Sequence, residues 1–289
     1  MIHKPVLQKE VIQYLDPKPN ENFIDATLGQ GGHAKSILMK NAPQGKVLGI
    51  ERDIVLYQQI GELTRLIAVN DSYVNIKEIV KRHNFKPIKG ILADLGLSSW
   101  HLEQSSRGFS FHRDEPLDMR YKAEGNNLTA AEIVNKWPEK KIEEILKSYG
   151  QEKFGEKIAE KIIEERKRKT IKSTFQLVDL IKKAVPEGYK KKGHPARKTF
   201  QALRIAVNDE LRNLGIFLPR ALETLEKEGK LLIISFHSLE DKITKNFFKE
   251  SQKKGLLKII NKKPIVPSSE EVEINPRSRS AKLRVIEKI

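Results

Sequence analysis

The sequence predicts an α/β chain in which a doubly wound, mostly parallel sheet is interrupted by an inserted all-helical domain. Two observations lead there. Short apolar runs alternate with helix-length stretches between residues 22 and 95, the signature of repeated strand–helix units and a parallel sheet. The strand texture then stops from Ser105 to about Arg197 and resumes at Leu231. Taken in order, the strand-like runs are Asn22–Ala26, Val47–Ile50, Leu66–Val69, Ile88–Leu95, Leu231–Phe236 and Leu256–Ile260, and Ala281–Ile289 adds an edge strand. Helices are expected over His33–Asn41, Ile54–Thr64 and Tyr73–His83 between the first four strands. Helical periodicity continues through Thr129–Trp137, Glu139–Ser148, Gly155–Lys169 and Ser173–Ala184, the last capped by Ser173 or Thr174, and then through Thr199–Lys227. The expected division is a first part over 1–104, a helical insertion over 105–197 and a second part over 198–289.

Composition limits what such a chain can do. An apolar fraction of 38% with 7% aromatics over 289 residues fills a real core and argues against disorder. The absence of Cys removes disulfides, thiolate zinc sites and a Cys nucleophile together, and no metal is expected. The opening segment MIHKPVLQKEVIQYLD has no apolar signal core, and no stretch reaches the ~20 apolar residues of a membrane span. The chain reads as cytoplasmic and not bound to a membrane. With 54 Lys+Arg against 38 Asp+Glu, its net charge of +16 favours a polyanionic partner. A Lys/Glu-rich thermophile surface, as in Glu156–Lys169, explains mixed charges but not the surplus of one sign.

Three motifs sit where the predicted strands end. The run Asp25-Ala-Thr-Leu-Gly29-Gln-Gly31-Gly32-His33-Ala34 joins a strand to a helix, and its glycines let backbone approach a ligand at a helix N-terminus. Gly29, Gly31 and Ala34 also satisfy a dinucleotide fingerprint. Asp25 separates the two readings, because a carboxylate at this turn repels a pyrophosphate but suits the ammonium and sulfonium of S-adenosylmethionine. Glu51 closes the second strand about 20 residues later, where an acid can accept both ribose hydroxyls; the plainer reading is an exposed acid beside Arg52 and Asp53. At the end of the fourth strand, Asp94, Ser98 and Ser99 in ADLGLSS are candidates for contacts to donor or target, unless Asp94 merely caps the turn.

Seven ordered blocks then give the chain a family resemblance over nearly its whole length. They are HKPVL at His3, DATLGQGGHAKSIL at Asp25, ADLGLSS at Ala93, RGFSFHRDEPLDMR at Arg107, HPARKTFQALRIAVNDEL at His194, IISFHSLED at Ile233 and NPRSRSAKLR at Asn275. With them the chain resembles the MraW family of S-adenosylmethionine-dependent ribosomal RNA methyltransferases. The resemblance implies a class I methyltransferase sheet with a helical insertion serving substrate recognition. It implies methylation of the N4 atom of a cytidine in the decoding region of 16S ribosomal RNA, within the small subunit or a late precursor. Cofactor contacts implied by position fall on Gly31, Gly32, His33, Glu51, Tyr73, Asp94 and His101. Glu51 stands where the family often has Asp, Tyr73 where it often has Phe, and His101 where it often has Gln.

The N4 lone pair of cytosine is delocalised into the ring, so catalysis is expected from in-line positioning and a proton acceptor. Asp94 is the candidate acceptor; the Asn/Asp-Pro-Pro-aromatic motif of many amino-methyltransferases is replaced here by Asp94-Leu-Gly-Leu. His237, ending the fifth strand, either holds the target base or RNA or is structural. RNA contacts are expected from Arg107, Arg113, Arg120, Lys190, Lys191, Lys192, Arg197, Arg277 and Arg279, with Lys198, Arg204, Lys282 and Arg284 beside them. Phe109 and Phe111 either stack on an unpaired base or pack the insertion's core. Two rivals belong to other classes. An NAD-dependent oxidoreductase explains the glycines alone, and a non-catalytic ribosome-assembly factor explains RNA binding alone.

Overall fold

The structure, a computed structural model, describes residues 5–190 and 193–289, so His3 of the first block and Lys191 and Lys192 of the basic segment lie outside the described residues. Two compact units divide the chain, Met1–Gly96 with Leu211–Ile289, and Leu97–Glu210. The helical unit is therefore wider at both ends than the 105–197 expected. In chain order the first part carries α1 (Gln8–Leu15), β1 (Phe23–Asp25), α2 (Gly32–Lys40), β2 (Val47–Glu51), α3 (Ile54–Gln58), β3 (Leu66–Asn70), α4 (Ile76–Arg82) and β4 (Gly90–Asp94). Then come α5 (Ser99–Glu103), α6 (Ala130–Lys136), α7 (Glu139–Ser148), α8 (Gly155–Arg166), α9 (Thr174–Ala184), α10 (Glu187–Lys190) and α11 (Arg197–Asn208). The chain closes with α12 (Glu210–Thr224), β5 (Lys230–Ser235), α13 (Ser238–Lys253), β6 (Leu257–Ile259), α14 (Ser269–Ile274) and β7 (Lys282–Lys288).

The seven strands form one sheet in the order β3-β2-β1-β4-β5-β7-β6. β1 to β5 pair in parallel, while β7 runs antiparallel to both β5 and β6. This is the class I, Rossmann-like methyltransferase sheet. The apolar runs of β1, β2, β4 and β5 belong to strands buried on both faces, which is why they read as continuous rather than alternating. Successive residues nonetheless enter different cores. Ile91, Ala93, Leu231 and Ile233 pack with α4, α12 and α13, whereas Leu92, Leu232 and Ile234 pack with α1 and α2. The second unit has its own core, built from Ile133, Ile145, Ile158, Leu177, Phe200 and their neighbours.

Several elements differ from the expectation. β7 is interior rather than an edge; β6 takes the edge. The single helix expected over Thr199–Lys227 is two, because Asp209 adopts φ 50° and ends α11, a left-handed position that Asp tolerates better than most side chains. α3 stops at Gln58 instead of Thr64. α1 and α13 were not expected, although Val11 and Leu15 repeat at helical spacing along α1, and Ile243 and Phe247 along α13. Ser173, not Thr174, is the N-cap of α9; Thr174 is buried and its Oγ1 accepts from the N–H of Glu115 at 3.0 Å.

Asn208 closes the helical unit. Its buried amide donates to the Met119 carbonyl at 2.7 Å and the Arg204 carbonyl at 3.0 Å, and its Oδ1 accepts from the Tyr121 N–H at 2.9 Å. Asn208→Ala strands these partners away from water, at a cost of about 1–3 kcal/mol. The expected outcome is a lower denaturant midpoint followed by helical circular dichroism; an unchanged midpoint would show that water replaces the amide.

Candidate active site

The parallel register brings the carboxyl ends of β1, β2, β4 and β5 to one rim of the sheet, where ligands of open α/β sheets bind. Asp25 pairs with Gly49 and Leu92, Glu51 with Asn70, and Asp94 with Ile234. The chain leaves β1 in a turn in which the N–H of Leu28 donates to the Ile50 carbonyl at 2.9 Å. Gly29 and Gly31 adopt φ of 51° and 77°, which side-chain-bearing residues resist. A Cβ on Gly29 or Gly31 would meet no atom closer than 3.8 Å, so backbone geometry and not crowding calls for glycine there. Gly32 is different. It begins α2, and a Cβ there would lie 2.5 Å from Pro5 Cγ, so this glycine serves close packing.

Glu51 is 8% exposed and holds the turn from the neighbouring strand. Its Oε2 accepts from the Gly29 N–H at 2.8 Å and its Oε1 from the Asp53 N–H at 2.7 Å. Burial pushes its carboxyl up to about 7 against the opposing pull of those two N–H groups. Asp25, 1% exposed, is likewise pushed up to about 6 by burial, with His33 pulling the other way. Its Oδ1 accepts from the Thr27 N–H at 3.2 Å while Oδ2 has no hydrogen-bond partner.

Asp94 is set by its backbone, whose N–H donates to Thr27 Oγ1 at 2.7 Å. Its Oδ2 lies 3.6 Å from His33 Nε2, and its buried Oδ1 has no hydrogen-bond partner. Neither ring nitrogen of His33 makes a hydrogen bond. Buried polar atoms are normally satisfied. Two carboxylate oxygens and an imidazole without hydrogen bonds, beside an open glycine turn, fit a ligand that brings donors, above all a cation. Tyr73 stands just beyond β3 with its ring edge-to-face on Phe217 at 4.9 Å.

The remaining expected residues are placed as follows. His101 lies in the helical unit, buried, with Nδ1 2.8 Å from Ser98 Oγ in the capping box of α5 and its ring against Trp100, Phe109 and Tyr121. Ser98 is that helix's N-cap. His237 is the N-cap of α13, its Nδ1 accepting from the Glu240 N–H at 3.4 Å and its Nε2 3.2 Å from Glu240 Oε1. Asp94 does not cap a helix.

The block from Arg107 to Arg120 is largely occupied with itself. Arg107 donates to the carbonyls of Arg120 and Tyr121, and Arg120 makes a two-pronged pair with Asp118 at 2.8 and 2.7 Å. Gly108 adopts φ 76° where a Cβ would strike the Pro116 carbonyl oxygen at 2.3 Å. Phe109, 4% exposed and stacked on Tyr121, is core, the second of its two readings, and is not available as a base-stacking ring; Phe111 is half-buried against His194 and Phe200. Arg113 is exposed and donates to the Glu103 carbonyl. Lys190 pairs with Glu187, and Arg204 with Glu210 at 2.8 and 2.9 Å. Arg197, Arg277 and Arg279 are exposed. Arg284 is buried and paired with Asp241 at 2.6 Å, so the structure removes it from the exposed basic set. Sequence reasoning missed Thr27, whose hydroxyl anchors Asp94, and Glu240, which accepts from the Phe236 N–H at 2.9 Å. Thr27 lay inside the quoted glycine motif, and only the pairing of β1 with β4 reveals its partner.

The whole chain, residues 1–289, matches the model of a family described as the MraW methylase family. The ribosomal RNA small subunit methyltransferase H of Clostridium botulinum (strain Kyoto / Type A2) is 44% identical over 99% of both chains. The protein of the same name from Heliobacterium mobile is also 44% identical over 99% of both. A crystal structure of a putative rRNA-methylase from Clostridium thermocellum aligns over the full length of both chains with TM-score 0.48 at 10% identity. On the family match and the near-complete coverage of these relatives, the chain belongs to the MraW methylase family.

Proposed function

We propose that the chain transfers a methyl group from S-adenosylmethionine to the N4 atom of a cytidine in the decoding region of 16S ribosomal RNA, acting in the cytoplasm on the small subunit or a late precursor, with no metal. The observation that carries this reading is the rim itself, where three carboxylates end adjacent strands around an open left-handed glycine turn in a member of a methylase family. S-adenosylmethionine supplies an electrophilic methyl group on a sulfonium. Asp25 Oδ2 would take its ammonium, Glu51 its ribose hydroxyls, and Gly31, Gly32 and His33 its backbone-facing side, with Tyr73 and His101 completing the set implied by the family. Glu51 would do this while already holding Gly29 and Asp53, so the ribose site and the glycine turn share one carboxylate.

Asp94 is the proposed proton acceptor. Its Oδ1 is buried without a partner, so it can receive an amino N–H of the target cytosine and take the proton released when nitrogen bonds to carbon. His33, 3.6 Å from Oδ2, would hold the carboxylate in place. Arg113, Arg197, Lys190, Lys191, Lys192, Arg277 and Arg279 are proposed to contact RNA phosphates, with Arg107, Arg120 and His237 shaping the surfaces that carry them. The helical unit is proposed to recognise the substrate. Transfer of labelled methyl into small subunits, mapped to one nucleoside, tests the function directly; incorporation at a carbon or at a ribose oxygen would overturn the N4 assignment.

Glu51→Ala removes charge-assisted acceptors from the donor and from two backbone N–H groups. Donor affinity should fall by about one to two decades, corresponding to ~1.5–3 kcal/mol, and the apo-protein should melt earlier. Because the Glu51 carboxyl is raised to about 7, ionisation to the accepting form is lost as pH falls through that value. Donor affinity in the wild type should therefore decline below pH about 7, and Glu51→Gln should flatten that decline. Calorimetry with a pH-independent wild-type affinity would remove Glu51 from the ribose site.

Asp94→Asn should slow methyl transfer by more than it weakens donor binding, since a proton acceptor acts in the transition state. Single-turnover rates beside donor affinities decide this; equal losses would leave Asp94 as a donor-binding residue only.

A further inference from the structure

One strongly charged surface remains outside the site. Along α13, Lys242, Lys245, Lys249 and Lys253 follow at intervals of three, four and four residues, which keeps them on one side of a 3.6-residue helix. All four are exposed, and none has an ion-pair partner among the described residues. The opposite side of the helix is fixed to the sheet. Thr244, Phe248 and Ser251 are buried there, and Ile243 and Phe247 pack against the same core. The acids at the start of α13 do not face the stripe freely. Glu240 is buried and takes the N–H of Phe236, and Asp241 is spent on Arg284 at 2.6 Å and Lys282 at 3.6 Å. Glu250 is the one acid on the exposed length of the helix from Lys242 to Lys253.

Position gives the stripe its direction. α13 starts at His237, immediately after β5 reaches the rim that carries Asp25, Glu51 and Asp94, and then runs back beside the sheet. At 1.5 Å per residue the lysines span roughly 16 Å. A row of ammonium groups of that length suits several successive phosphates of one strand, while Lys, as a point charge, positions a backbone without reading bases.

We propose that the lysine stripe of α13 is a phosphate-tracking surface on the methyltransferase unit, along which the RNA strand flanking the target nucleotide leaves the active-site rim. The proposal rests on the reading of the chain as an RNA methyltransferase and adds a surface that the motifs of the sequence did not mark. An anionic membrane would also attract lysines, but the apolar side of α13 is already packed on the sheet and has nothing to insert.

The test replaces Lys242, Lys245, Lys249 and Lys253 together by Gln in the full chain and titrates binding to small ribosomal subunits against salt. Each lost phosphate contact removes about 0.7 from the slope of log affinity against log salt, so the variant's slope should be shallower by about 2–3. Donor affinity and melting temperature, measured in parallel, should match the wild type, which separates a surface effect from misfolding; if the fourfold variant melts early, Lys245→Gln with Lys249→Gln should still lower the slope by about 1–1.5. An unchanged slope in a folded variant overturns the proposal. So does an unchanged RNA slope with loss of binding to phosphatidylserine vesicles, which would assign the stripe to a membrane. Methyl transfer to small subunits by the wild type is the separate control: its failure would sink the proposed activity, whereas the slope reports on the stripe alone.

Discussion

A carboxylate held almost out of water by two backbone N–H groups is the interaction on which the rim depends. Glu51 ties the end of β2 to the Gly29 turn that leaves β1 and to Asp53, the N-cap of α3. Together with the Leu28–Ile50 backbone bond, it joins the two chain segments that frame the glycine turn. The cost of holding a charge there is visible in the raised proton affinity of Glu51 and of Asp25 beside it. A group made uncomfortable by burial gains most from a ligand that brings donors or positive charge, so the same desolvation that strains the empty rim strengthens what it binds.

The helical unit shows the reverse arrangement. In the loop from Arg107 to Arg120, side chains that look like ligand contacts in one dimension are consumed by the loop's own carbonyls and by Asp118. Glu115, buried, accepts from the Gly108 N–H at 2.9 Å, and Gly108 lacks the Cβ that would strike the Pro116 carbonyl oxygen in this tight turn. The loop's chemistry is spent on its own shape.

That contrast explains what was legible in the sequence. β1, β2, β4 and β5 could be read because strands buried on both faces appear as uninterrupted apolar runs, and Asp25, Glu51 and Asp94 could be placed at one rim because each ends such a run. α13 escaped because its buried side is narrow and its lysines dominate the composition. The edge position assigned to the final strand was wrong because sheet order is decided by pairings between distant segments, which local patterns do not encode. Phe109 stayed open between two readings, and Arg284 was misjudged, for a related reason. An aromatic ring or an arginine has the same letter whether it faces solvent or a buried partner, and only tertiary contacts with Tyr121 and Asp241 separate the two.

β4 and β5 are hydrogen-bonded neighbours, Asp94 beside Ile234, yet the entire helical unit lies between them in the chain. Joining such distant segments as an open coil carries a loop-closure entropy that grows with the logarithm of the intervening length. Within the helical unit the successive helices α7, α8 and α9 pack on one another, local contacts of the kind that form quickly. Once it condenses it becomes a short tether in place of a long coil, and the central pairing of the sheet is then reached at far smaller entropic expense. An inserted unit that folds before the sheet closes would thus act as a kinetic staple for the very sheet it interrupts.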